Sequence, residues 1–211
     1  HSEVSSKRLI ALRDLLKKDS VTAFSTVPAL FQPFFDKASI NTLCLEFKEN
    51  QKIDRNELIS NLVENGYDPA DLVTKPSSYA LRGSVIDIFP SNSKYPVRID
   101  LDDDLISSIS VFDTDTQKTL RKVNSFIVRP SRGFVLNVNS IKIFKKNWRS
   151  RFKDDGEVFE SVSKGKFISG IEFYSSLFYD EKPSLMDYLN GFNIFIVGDV
   201  KSESKNYWEL I

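Results

Sequence analysis

The chain of 211 residues and 24.1 kDa is long enough for two small cores, and its 29 basic and 29 acidic residues cancel, so it has no overall pull toward phosphate backbones or anionic membranes. A single cysteine, Cys44, excludes an intrachain disulfide, and a single histidine at position 1 excludes histidine catalysis and leaves zinc short of its usual Cys and His ligands. No apolar run approaches the roughly 20 residues that cross a bilayer, and the charged opening HSEVSSKRL has no apolar core of a signal segment, so a soluble cytoplasmic protein is expected.

SSKRLIALRDLLKK sets Leu9, Leu12 and Leu16 at helical spacing and predicts an amphipathic helix over 6–18, with Ser5 or Ser6 as its cap. SVTAFST reads as a buried strand over 20–26, and Pro28 opens a short helix in PALFQPFF. A helix, strand, helix opening of this kind is expected at the tail of an open α/β sheet. The character changes at TLCLEF, a strand in which Cys44 reads as a small buried hydrophobe.

DRNELISNLVENG carries Asp54 as N-cap, Glu57 three residues on as its reciprocal partner and Gly66 as the stop, which predicts a helix. Short strands follow at 79–82, 84–89, 95–101, 105–111 and 124–129, with PSNS and DTDTQ as turns. In the third of these, Val97, Ile99 and Leu101 alternate with Arg98, Asp100 and Asp102, the pattern of a sheet with one wet face. The expected middle unit, 44–131, is a small antiparallel sheet with a helix against it. Two of its strands carry arginines, Arg82 and Arg98, and the question is what they meet.

NVNSIKIFKKNWRSRF returns to helical spacing, with Ile141, Phe144 and Trp148 on one face, and GEVFESVSKG predicts a second helix. FNIFIVGD is a continuous apolar run of the kind buried on both faces of a parallel sheet, and Asp199 is placed to cap a helix over VKSESKNYWELI. The expected fold is therefore α/β, with incomplete parallel-sheet pieces at 1–43 and 132–211 flanking an inserted antiparallel module.

Candidate chemistry is sparse. SKGKFISG lacks the glycine spacing of a phosphate-binding loop and the hydroxyl after Lys166, so no ATP site is expected. DLDDDL lacks the glycine and distal glutamate of a calcium loop and reads as a solvated strand edge. The six cations of KIFKKNWRSRFK fit either a nucleic-acid backbone or a solvated helix face.

The segment YALRGSVIDIFPSNSKYPVRIDLDDDLISSISVFDTDTQKTL, through Arg82-Gly83, Asp87, Phe89-Pro90, Pro96, Arg98, Phe112-Asp113 and Gln117, resembles the UvrB-homology region of the transcription-repair coupling factors. TVPALFQPFF before it, and KNWRSRF and SVSKGKFISGIEFYSSLF after it, extend the resemblance over nearly the whole chain. Gly198-Asp199-Val200-Lys201 lacks the acidic pair of UvrB itself. The resemblance implies that 1–43 and 132–211 are parts of one RecA-like domain, similar to UvrB domains 1a and 1b. It implies further that 44–131 docks the repair ATPase UvrA, with Arg82 and Arg98 on the docking surface.

The family's usual aromatic four residues after the second arginine is here Asp102, so the expected partner-binding set is Arg82, Arg98, Asp102 and Asp104. The segment itself is expected to be non-enzymatic, monomeric and free of cofactor or metal. RNA polymerase, DNA, ATP and magnesium engage other regions of the intact translocase. Two other readings carry different tests: a piece of a UvrB-type ATPase that handles damaged DNA, and a stand-alone DNA-binding domain.

Overall fold

The computed structural model describes residues 2–17, 20–31, 35, 37, 40, 43–181 and 183–209. His1, Lys18 and residues 32–34 of the PALFQPFF stretch lie outside the described residues. None of the described helices is long and apolar enough to cross a membrane.

Helix α1, Ser2–Lys17, buries Leu9, Leu12 and Leu15 along one stripe. It begins before Ser5 and Ser6, which therefore lie inside the helix and not at its cap, because neither Gly nor Pro interrupts the preceding residues. Its stripe packs on Phe35, Ile40, Val135, Leu185 and Tyr188, so the two flanks of the chain share a core. The Tyr188 hydroxyl ties them further by donating to the Phe35 carbonyl. Helix α2, Val27–Phe31, starts one residue ahead of Pro28.

The middle of the chain is a sheet module. Strand β1, Leu45–Lys48, pairs antiparallel with β8, Ser125–Val128. Helix α3, Arg55–Glu64, is capped by Asp54, whose carboxylate accepts from the amides of Asn56 and Glu57; the reciprocal bond from the Glu57 side chain is not among the described hydrogen bonds. Gly66 then turns the chain at φ +80, a conformation that favours glycine. A Cβ there would also stand 2.6 Å from the Ser131 hydroxyl.

The main sheet runs in chain order: β2 (Asp68–Pro69), β3 (Ser78–Arg82), β4 (Val85–Phe89), β5 (Val97–Asp102), β6 (Leu105–Phe112) and β7 (Thr119–Lys122). The short β2–β3 pairing is parallel and the rest is an antiparallel meander. One face carries Tyr79, Ile86, Ile88, Val97, Ile99, Leu101, Ile109 and Val111. Leu58 and Leu62 of α3, with Phe47 and Val128 of the small sheet, cover it. Full burial of each such side chain stabilises by about 2 kcal/mol, so this face is the main source of the module's stability. Sequence spacing anticipates β3 to β6 and β8, but not β2 or β7.

The second flank is helical: α4 (Val138–Arg151), α5 (Glu157–Ser163), a 3₁₀ segment (Ile171–Phe178), α6 (Leu185–Tyr188) and α7 (Val200–Glu209). Asn137 and Ser140 cap α4 reciprocally, and Phe144 and Trp148 are buried on its inner face, with Ile141 packed at the margin. Rings of Phe134, Phe144 and Phe178 stack at 4.3 to 4.7 Å.

The mixed α/β architecture is the expected one, but the two flanking runs read as strands are not strands. Residues 21–26 lie as unpaired chain with Phe24 96% exposed, and Ile194, Phe195, Ile196 and Val197 are 53, 87, 71 and 93% exposed. The reason is lateral: no strand among the described residues lies beside either run, so neither has a ladder to join. Asp199 does cap α7, accepting from the Ser202 amide at 3.0 Å.

Candidate functional site: the polar face of the sheet

The face of the main sheet opposite α3 is set by register. Ala80, Asp87, Arg98 and Ser110 stand opposite one another across β3 to β6, and Arg82, Val85, Asp100 and Ser108 form the next row. Alternation alone predicts a wet surface here, yet Asp87 is fully buried. An ionised carboxylate in such a place requires charged donors, and the neighbouring strands supply two.

Arg98 donates Nε to Asp87 Oδ1 at 2.7 Å and Nη2 to Oδ2 at 2.9 Å, a bidentate fork. Arg82 Nη2 donates to the same Oδ2. The bond to Asp87 pushes the Arg98 guanidinium further above its already high range. The three groups together carry one net positive charge.

The rest of the Arg98 environment fixes it in place. Its guanidinium lies 4.4 Å over the Phe112 ring, and its Nη atoms reach the Gln117 carbonyl and Oε1 at 3.5 and 3.4 Å. Gln117 is held at φ +58 in the turn after β6. Asp113 braces that turn through the Thr116 amide and hydroxyl, bonds that also draw the Asp113 carboxyl below its ordinary range. The Gly83 turn between β3 and β4 is pinned from α3 by Arg55 Nη1, which donates to the Gly83 carbonyl at 2.6 Å.

The two arginines therefore differ. The Arg98 side chain is 19% exposed and rigid, whereas that of Arg82 is 44% exposed and presents its outer edge to solvent. Arg98 is therefore not a solvated strand arginine: its pairing with Asp87 and its packing on Phe112 leave little of it exposed.

Asp102 is exposed at the hairpin end of β5, beyond Asp100, which accepts from the Ser108 hydroxyl at 2.6 Å. Asp104 belongs to a different neighbourhood, ion-paired with Lys52 at 3.4 Å beside the entry to α3. Arg82 and Arg98 thus converge on one carboxylate, Asp102 stands at the end of their face, and Asp104 points to another. Sequence reading assigned no role to Asp87, Phe112 or Gln117. The available signal was an acid inside the apolar run VIDIF, directly opposite Arg98 once the hairpin register is drawn.

Among the α4 cations, Lys146 pairs with Asp180 at 2.7 Å and Arg149 packs over the Phe159 ring. Both therefore have intramolecular partners.

Residues 45–134, the sheet-and-helix module with a braced arginine pair on its polar face, match the family described as the UvrB interaction domain. The chain as a whole is similar to transcription-repair coupling factors. It is 31% identical over 98% of its length to that of Escherichia coli K12 and 32% identical over 93% to that of Haemophilus influenzae. It is also 27% identical over 90% of its length to the UvrABC system protein B of Neisseria meningitidis. The chain spans 18% of the length of those two coupling factors and 32% of that UvrABC protein.

Proposed function

We propose that this chain is the UvrA-recruiting segment of a transcription-repair coupling factor, linking a stalled RNA polymerase to nucleotide-excision repair. The observation that carries this reading is the Arg82–Asp87–Arg98 cluster. A buried carboxylate holds two guanidiniums on rigid strands, so little side-chain freedom is lost when an acidic partner surface docks. Arg82 supplies the accessible donors and Arg98 the fixed positive field behind them. Asp102, at the end of the same face, sets a charge where a partner meets the β5–β6 hairpin.

The flanks, 1–43 and 132–211, act as one supporting lobe, a reading supported by the shared core of α1 with Val135 and Leu185. The segment is soluble and cytoplasmic, and it is non-catalytic: the sequence holds no phosphate-cradling loop. ATP, magnesium, DNA and RNA polymerase are handled by other regions of the intact protein.

The test is calorimetric titration of the chain with UvrA from the same source, without nucleotide. Docking over roughly 800 Å² per partner corresponds to micromolar or tighter affinity. Absence of a complex at tens of micromolar contradicts the reading.

A further inference from the structure

The polar face does not end at Arg98. The register that aligns Ala80, Asp87, Arg98 and Ser110 continues to Lys122 on β7. Lys122 therefore lies on the same face as the arginines, two strands beyond Arg98, or about 10 Å at ordinary strand spacing. Between them β6 contributes Ser110, which is buried, with Ser108 one step along. Alternation places Arg121, opposite Val111, on the other face.

Lys122 is exposed and makes no hydrogen bond or ion pair among the described residues. Its strand is nonetheless fixed relative to Arg98, because Gln117, which holds the guanidinium, lies in the turn that leads into β7. The positive charge of the arginine cluster thus continues to the sheet edge with nothing of opposite sign in the row beyond Asp87.

We propose that Lys122 is a third cation of the docking surface and meets a carboxylate side chain of the docked partner at the edge of the row it shares with Arg98. The inference rests on the reading of this face as the UvrA-docking surface. A carboxylate at that edge meets the mobile point charge of Lys122, with the rigid Arg98 guanidinium further along the same row. The lysine acts mainly by steering encounter, so its contribution weakens as salt screens it.

The experiment measures affinity and association rate for UvrA with the wild-type chain and with Lys122→Glu, Arg121→Glu and Arg82→Ala, each shown by its melting curve to be fully folded at the temperature of the measurement. Lys122→Glu is expected to weaken binding about tenfold and to slow association most at low salt. Arg121→Glu, the same charge change one residue away on the opposite face, stays within about twofold of wild type. Equal losses for both variants overturn the proposal, since net charge alone then explains them, and wild-type behaviour of Lys122→Glu overturns it too. Failure of the underlying docking reading has a different signature: the wild-type chain forms no complex, or Arg82→Ala binds undiminished.

Discussion

VIDIF in β4 and IFIV at residues 194–197 read alike as sequence and end in opposite environments. Ile86 and Ile88 are fully buried and Phe89 is 6% exposed, whereas Ile194 to Val197 are all more than half exposed. Composition does not separate them, but neighbours do: β4 has a strand on each side and a helix over one face, and the second run has no adjacent strand among the described residues. Strand formation is a fit to a pleated surface that other segments must provide. The same holds for charge, because Asp87 is tolerated inside VIDIF only through arginines on the strands to either side.

The largest effect that separates the two regions is apolar truncation. Ile88→Ala should lower module stability by about 3 kcal/mol through lost burial and a residual cavity, while Ile196→Ala should change it by under about 0.5 kcal/mol. Denaturant unfolding of both variants checks this, and equal losses would break the comparison.

Next in size is the polar core. Arg98→Ala leaves Asp87 with one half-exposed partner and should cost about 2 to 3 kcal/mol. Arg82→Ala leaves the bidentate fork intact and should cost under about 1 kcal/mol, so thermal melting should rank them in that order. Helix caps come third: Asp54→Ala should remove about 1 kcal/mol from the module. Asp199→Ala should leave the main transition unchanged and reduce only far-ultraviolet helical signal, because α7 buries no side chain.

The smallest effect is alkaline. Burial pushes the Tyr67 hydroxyl above its ordinary value of 10.0. Its folded-state pKa is raised, so its contribution is intact below the unfolded value and is lost as pH rises from there through the folded value. Tyr67 donates to the Arg129 carbonyl at 2.8 Å, so Tyr67→Phe should lower stability at neutral pH yet flatten the decline above pH 10. Melting temperature against pH for both chains reads this out.

What was legible in the sequence follows the range of the physics. The Asp54 cap, the alternation along β5 and the Ile141, Phe144 and Trp148 face of α4 depend on residues within a few turns or one strand, and spacing reveals them. Strand β7 was not legible, since TLRK is exposed throughout and is a strand only through its ladder to β6. The runs at 20–26 and 192–199 were misread because apolar content says nothing about whether a lateral partner exists. At the candidate site, Arg82 and Arg98 were visible as arginines out of place in strands. Their convergence on Asp87 was not, because it depends on three strands meeting in one register.

The most direct test of the proposal that the braced arginine face docks UvrA is calorimetric binding of Arg82→Ala and Arg98→Ala to UvrA, at a temperature where both remain folded. Removing the accessible donors of Arg82 should weaken binding by about 2 kcal/mol, roughly thirtyfold, with little change in melting. Arg98→Ala should lose at least as much in affinity, together with its loss of stability. If both variants bind UvrA as the wild-type chain does, Asp87 and its arginines serve the fold alone and the docking surface lies elsewhere.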